Sequence, residues 1–325
     1  MNYALILYEP SPAGLPRVHL SCGLGLWLAR LESRVIPGVS PTRARWGMQG
    51  AIEVVMMLLS VLQANAVVLD VDANLKTVDA AAQRAAAAGA VLLLTPELFP
   101  VGYAPLRLHA ELDFATLPSI RERLADIART HGIGLIYSLP APAADGSWHI
   151  SATLLDAGGT VLLDYSKVHL FGEEERKAFS AAQAAPGVVD FEGIKTSLLI
   201  CYDVEFPETV RAAAMRGAEL LLVPTALSVG FDAVPQVLIR ARALESQLNV
   251  AYANHSGHED GCDFLGGSVV AGPDGSLLAA AGDGAALLFA EISAESVNEA
   301  REQVPYLRER RPELYREWED SAPEG

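Results

Sequence analysis

Cysteine is scarce in this chain. Three cysteines in 325 residues cannot build a disulfide framework, and they read as free thiols of a reducing, cytoplasmic setting. Positive charge is scarce too. Against 40 Asp and Glu the chain has only 24 Lys and Arg, a formal balance of −16. Such a surface repels the phosphates of nucleic acid and of anionic lipids, so neither nucleic acid nor membrane is expected as a partner. Long apolar runs are missing. The stretch from Val54 to Leu62 is broken by Ser60 and followed by Gln63 and Asn65, well short of the ~20 residues that a membrane helix needs. At the start, Glu9 and several prolines interrupt any apolar core of a signal peptide. The sequence also lacks a Gly-x-Gly-x-x-Gly or Walker segment, a Cys/His cluster with zinc spacing, and a Gly-x-Ser-x-Gly elbow. No metal or organic cofactor is therefore expected. What is abundant is apolar: 51% hydrophobic residues against 20% charged can bury a large core and exclude disorder for most of the chain.

Residues 1–55 stand apart. They carry five Arg against three Glu, are rich in Pro and Gly, and lack sustained periodicity. They are expected to be an extension outside the main domain, disordered or the product of an upstream start, with Met56 and Met57 where a domain would begin. From there the pattern becomes regular. MLLSVLQAN reads as a buried strand. Asp72 is expected to cap a helix through NLKTVDAAAQRAAAA that stops at Gly89. VLLLT is a strand, residues 118–130 a helix, IGLIYSL a strand and residues 150–165 a hairpin. KTSLLICY is a strand, PETVRAAAMRG a helix, AELLLVPT a strand, residues 234–248 a helix and NVAYAN a strand. A hairpin with a Pro-Asp-Gly turn, the strand AALLFAEI and a short helix Ala294 to Arg301 close a domain at 56–301. Residues 302–325 form a charged tail with aromatics, suited to a subunit contact. Strands that first alternate with helices and then pair as hairpins predict an α/β fold of mixed sheets flanked by helices.

Three polar residues each follow a buried strand: Glu97 after VLLLTP, Lys167 after TVLLDYS, and Cys201 after TSLLI. Strand ends in such folds open onto the crevice where ligands bind. Taken singly, each has an ordinary reading. A Glu after Thr-Pro can open a loop, a Lys past a strand is normally solvated, and a Cys there is normally a small core residue. A carboxylate, an ammonium and a thiol in equivalent places point instead to one site. Asp203, Glu205 and Glu208 follow Cys201, and their charge is expected to raise the thiol pKa. The nucleophile then needs a local base, Glu97, and a cation, Lys167. The turn ICYDVEFPE leaves backbone N–H groups free to hold an oxyanion. His169, two residues past Lys167, is the rival base. Cys22 and Cys262 follow no buried strand, and His255 and His258 lie in a loop that could rim a pocket but lack metal-ligand partners.

TPELFPVGY, DYSKVHLFGEEER and LLICYDVEFPE resemble the three signature segments of the carbon–nitrogen hydrolase (nitrilase-like) superfamily. The resemblance runs from about Met57 to about Tyr315. It implies a four-layer αββα sandwich, commonly dimerised, and a Glu–Lys–Cys triad matching Glu97, Lys167 and Cys201. It also implies a second glutamate, for which register on Phe179 favours Glu175, with Glu173 and Glu174 as fallbacks. Substrate and oxyanion contacts fall on Tyr103, Tyr202, Thr225 and Ala226. Ala181-Ala182 departs from the Pro-Gly common among relatives, and residues 1–55 have no counterpart. Tyr202-Asp203 after the cysteine, where nitrilases usually carry Trp-Glu, looks like the amidase side. The segment from His255 to Ser268 is similar to that of aliphatic amidases of δ-aminovaleramide and of stereoselective amino-acid amide amidases. The implied activity is hydrolysis of a small linear, ω-amino carboxamide to acid and ammonia through a thioester, by a homo-oligomer acting on its amide and water. The alternatives are an N-carbamoyl hydrolase or nitrilase with the same triad, and a non-catalytic binding protein on this fold.

Overall fold

The computed structural model describes residues 55–321 and, before them, the backbone of two short strands. The chain divides into two units, residues 1–40 and 41–325. In the first, β1 (Leu7–Glu9) and β2 (Arg17–His19) pair antiparallel. The expectations for residues 1–55 and for Cys22 otherwise lie outside the described residues.

In the second unit, β3 (Met56–Gln63) leads into α1 (Val71–Ala87). The cap of α1 is Asp70, not Asp72. The Asp70 carboxylate accepts the Ala73 N–H at 3.0 Å, while Asp72 sits in the first turn, where its charge still favours the helix dipole. Leu75, Val78, Ala82 and Ala85 form the buried stripe of this helix. Then follow β4 (Leu92–Leu94), α2 (Pro105–Glu111), α3 (Leu117–His131), β5 (Gly134–Pro142), β6 (Trp148–Leu155), β7 (Val161–Ser166) and α4 (Gly172–Ala178). Next come β8 (Val188–Phe191), β9 (Ile194–Leu198), α5 (Pro207–Met215), β10 (Leu220–Pro224), α6 (Ile239–Ser246) and β11 (Asn249–Ala253). The chain continues through β12 (Ser256–Glu259), β13 (Cys262–Leu265), β14 (Val269–Ala271), β15 (Leu277–Ala280) and β16 (Ala286–Ser293). It ends in α7 (Ala294–Gln303), α8 (Tyr306–Glu309) and α9 (Pro312–Asp320), so the expected tail is largely helical.

Two six-stranded sheets result, ordered β16-β3-β4-β5-β6-β7 and β15-β14-β11-β10-β9-β8. Each has a parallel centre, β3-β4-β5 and β9-β10-β11, with antiparallel strands outside it. The sheets face each other: β10 packs on β4 and β5, and β7 on β9. Central strands covered on both faces must be apolar throughout, and Leu92, Leu93, Leu94, Leu220, Leu221 and Leu222 are all fully buried. Helices α1 and α3 cover the first sheet, and α6 the second, with α5 packed against α6. This is the four-layer αββα sandwich with two mixed sheets. Two elements differ from expectation. The strand at KTSLLICY ends at Leu198, and Cys201 opens a tight 3-10 turn, Cys201–Glu205. The helix at 234–248 begins as a wider π-type turn, Val234–Leu238, before α6.

Candidate active site

The carboxyl-terminal ends of strands from both sheets meet in one buried cluster. Glu97 lies just past β4 and is fully buried. Its N–H donates to the Thr225 carbonyl at 3.2 Å, which joins the end of β4 to the end of β10. Leu98, directly after it, has φ of 52°, a left-handed turn that redirects the chain. Lys167 leaves β7 with its N–H on the Ile150 carbonyl at 2.8 Å. Its ammonium reaches Glu97 Oε1 at 2.7 Å and Glu175 Oε1 at 2.8 Å, and none of the three side chains is more than 1% exposed.

Of the three glutamates in GEEER, only Glu175 turns inward from α4. Glu173 and Glu174 are exposed, and Glu173 pairs with Lys177 at 2.9 Å. Glu175 also accepts the Tyr103 hydroxyl at 2.6 Å and the Phe171 N–H at 2.8 Å. Every oxygen of Glu175 is thus satisfied, whereas Glu97 Oε2 is buried with no hydrogen-bond partner among the described residues. An orphan carboxylate oxygen in a dry site is costly unless it has a proton to receive.

Cys201 supplies that neighbour. It is 5% exposed and stands at φ 45° at the head of its turn, a backbone region that costs a non-glycine residue about 1–3 kcal/mol and persists where the surroundings enforce it. The first N–H groups of the turn, Tyr202 among them, have no partner within it. The turn is braced from α6, where Arg242 donates to the carbonyls of Val204 at 3.0 Å and Glu205 at 2.5 Å. The thiol lies close enough to Glu97 to pull its ionisation downward, and the Ala226 N–H acts on the sulfur.

Burial is the leading force on each ionisation. It drives Glu97 up to about 7, against the opposing pull of the Lys167 ammonium and with the help of Glu175. It drives the Cys201 thiol above its ordinary range, with Glu97 adding to the rise and Lys167 opposing it. Burial pulls against the charge on Lys167, but Glu97 and Glu175 outweigh it and hold the ammonium charged. The direction expected for the thiol is right and the expected cause is not. Asp203 does not govern it, because its carboxylate instead accepts the Tyr165 hydroxyl at 2.9 Å and the His169 N–H at 2.9 Å.

The His169 ring bonds Asp203 at 3.0 Å and stacks on Phe206 at 3.9 Å, with no hydrogen bond to Glu97, Lys167, Glu175 or Cys201 among the described residues. Thr225 is buried with its hydroxyl on the Tyr252 hydroxyl at 3.0 Å, and Ala226 is half-buried. The Tyr202 ring meets Phe171 and Phe206 edge-on. Cys262 lies in β13, half-buried and outside the cluster, and His258 is exposed on Asp263 at 2.7 Å. His255 does reach the cluster, though from behind. It is fully buried against the Glu97 backbone together with Glu259, a residue that the motif reading left unassigned. The only prior signal was a His-x-x-x-Glu spacing in a loop, which acquires meaning only once β12 and β13 pair.

The family model for carbon–nitrogen hydrolases matches residues 58–302, and the chain belongs to that family. It is a hydrolase of carbon–nitrogen bonds other than peptide bonds. Among curated relatives, the hydrolase in the pqqF 5′ region of Pseudomonas protegens is 42% identical over 76% of this chain and 86% of its own. The 2-oxoglutaramate amidase of Bacillus subtilis is 30% identical over 69% of this chain and 86% of its own. Among solved structures, the amidase of Nesterenkonia sp. AN1 superposes with a TM-score of 0.76 at 45% identity, over 81% of this chain and 97% of that one, in a double mutant that holds acrylamide. Other structures of that amidase show the acetamide moiety of fluoroacetamide added covalently at the active-site cysteine, and a complex with butyramide. The glutamate and cysteine altered in the acrylamide complex are as far apart in that chain as Glu97 and Cys201 are in this one.

Proposed function

We propose that this protein is a cysteine amidase that converts a small linear carboxamide to its carboxylic acid and ammonia through a thioester on Cys201. The observation that carries this reading is the single ammonium of Lys167 held between Glu97 and Glu175, beside a thiol on a strained turn and an unpartnered oxygen of Glu97. Glu97 Oε2 takes the thiol proton as the sulfur attacks the amide carbon. Because burial disfavours a standing thiolate, proton removal and attack occur together. The oxyanion forms against the Lys167 ammonium and the N–H groups of Tyr202 and Ala226, contacts worth roughly 3–4 kcal/mol per donor. Glu97, now protonated, passes its proton to the departing nitrogen and ammonia leaves. The same carboxylate then activates water to cleave the thioester. Glu175, fixed by Tyr103, holds Lys167 and orients the amide.

A nucleophile only 5% exposed suits a slim acyl chain, and the Nesterenkonia amidase holds amides of that size. The likeness of the segment from His255 to Ser268 to aminovaleramide amidases adds a preference for a distal amine. δ-Aminovaleramide is expected to be hydrolysed with a higher kcat/KM than valeramide. Equal values would remove the amine preference and leave the amidase reading. Ammonia release across a panel of amides, N-carbamoyl compounds and nitriles tests the class, and turnover confined to the last two would overturn it. The reading extends to a cytoplasmic homodimer whose C-terminal helices share the subunit contact, and a monomeric mass in solution would remove that extension.

The pH dependence follows from Glu97. A base must be ionised to act, and Glu97 ionises at about 7 rather than in the ordinary carboxylate range. kcat/KM is expected to rise with pH through a half-maximum near 7. A half-maximum near the ordinary glutamate value of about 4.3 would show that a solvated carboxylate controls the rate instead.

A further inference from the structure

His255 is fully buried at the entry to the β12–β13 hairpin, behind the catalytic face of Glu97. Its Nε2 lies 2.6 Å from the Glu97 carbonyl oxygen, and its Nδ1 lies 2.6 Å from Glu259 Oε1. A carbonyl can only accept. Glu259 also accepts the Ala66 N–H at 2.8 Å on Oε1 and the Tyr103 N–H at 3.2 Å on Oε2, so both of its oxygens are engaged as acceptors. An imidazolium donates at both nitrogens and so satisfies both contacts at once. Burial opposes that charge, and Glu259 together with Glu97 outweighs burial. Phe99 and Phe264 pack against the ring at 5.5 and 4.9 Å and keep water away. The charged groups facing the ring are Glu259 from β12 and Glu97 from the loop after β4.

The pair grips one loop at two points. His255 holds the carbonyl of Glu97, immediately before the left-handed Leu98, and Glu259 holds the N–H of Tyr103. Tyr103 in turn fixes Glu175 through its hydroxyl. Both carboxylates around Lys167 therefore take their positions from a loop tied to this ion pair. Glu259 also holds the Ala66 N–H beyond the end of β3, so loop, sheet and hairpin are joined at one carboxylate.

We propose that the buried His255–Glu259 ion pair is the positioning device for the general base, holding the Glu97–Tyr103 loop and coupling it to the β12–β13 hairpin. This rests on the reading of Glu97 as the base of an amidase. His255 and Glu259 touch neither substrate nor reacting atoms. Their effect is expected in kcat, since a displacement of about 1 Å at a reacting group can cost on the order of 100-fold in rate.

The test combines the ring's own signature with kinetics. Nitrogen-15 spectra of histidine-labelled protein at pH 8 are expected to show His255 protonated at both ring nitrogens, and this signal is expected to vanish in Glu259→Gln. In His255→Gln, kcat is expected to fall about 30- to 100-fold with KM within about threefold. The acid limb of its pH profile is expected to move to higher pH, because the cation is lost while Glu259 stays charged. The double variant His255→Gln/Glu259→Gln removes the unpaired charge and is expected to regain thermal stability while kcat stays at least tenfold low. A neutral ring at pH 8 overturns the proposal. So does His255→Gln with wild-type kcat and pH profile, or a double variant that regains full kcat together with its stability. Failure of the amidase reading looks different: the wild-type protein turns over no amide.

Discussion

Replacing Cys201 by Ala is expected to lower kcat by about four orders of magnitude or more, since removal of a covalent nucleophile commonly costs up to ~10⁶. Fold stability is expected to stay near that of the wild type. The substitution deletes one sulfur at the head of a turn, keeps the Cβ, and leaves the turn held by Arg242 through the carbonyls of Val204 and Glu205. It also removes the buried thiol that crowds Glu97, so nothing is left charged and unpaired. Cys262→Ala in β13 is the control, and its turnover is expected to stay within about twofold of the wild type because the site lies elsewhere. Ammonia release measured at saturating amide, with melting curves of all three proteins, decides the matter. A Cys201→Ala protein that keeps more than about 1% of turnover would place the nucleophile elsewhere.

The cluster could be foreseen because its parts interrupt strong patterns. Glu97, Lys167 and Cys201 each end a run of apolar residues that has to be a strand, and a polar group placed there has to face the crevice or be solvated. The six-stranded sheets follow from the same runs, since Leu92 to Leu94 and Leu220 to Leu222 can only be central. Short elements carried no such pattern. Seven residues in α2 or α4, and four in each strand of the β12–β13 hairpin, are fewer than periodicity needs. The cap of α1 was displaced because Asp70 and Asp72 are chemically equal, and only the turn at Leu69, with φ 65°, selects between them. Asp203 departs from its expected effect for another reason. It is two residues from the thiol in sequence, yet its carboxylate is spent on Tyr165 and His169. The pairing of His255 with Glu259 likewise depends on tertiary contacts, which local sequence does not encode.

Lys167→Met is expected to abolish turnover and also to destabilise the fold, which separates it from Cys201→Ala. The ammonium is the only cation bonded to Glu97 and Glu175 among the described residues, and all three groups are out of water. Without it two buried carboxylates confront each other, and stranding a buried charge in this way typically costs 3–5 kcal/mol. In a domain of this size that corresponds to a melting temperature lower by about 10 °C. The loss is expected to depend on pH. Burial already raises Glu97 to about 7, and removing the opposing pull of Lys167 raises it further. A carboxyl whose folded-state pKa lies above its unfolded value adds no penalty below the unfolded value, and the penalty grows as pH rises towards the folded one. Below about 7 the buried Glu97 holds its proton in both proteins, so the stability gap between Lys167→Met and the wild type is expected to be narrowest there and to widen as pH rises from ~6 to ~9. Melting curves across that range measure it. Adding Glu175→Gln removes one of the two carboxylates and is expected to recover most of the stability lost on the alkaline side of pH 7 with no recovery of turnover, because the oxyanion still lacks its cation. A gap that stays constant with pH, or a double variant as unstable as Lys167→Met alone, would mean that lost packing rather than stranded charge causes the effect.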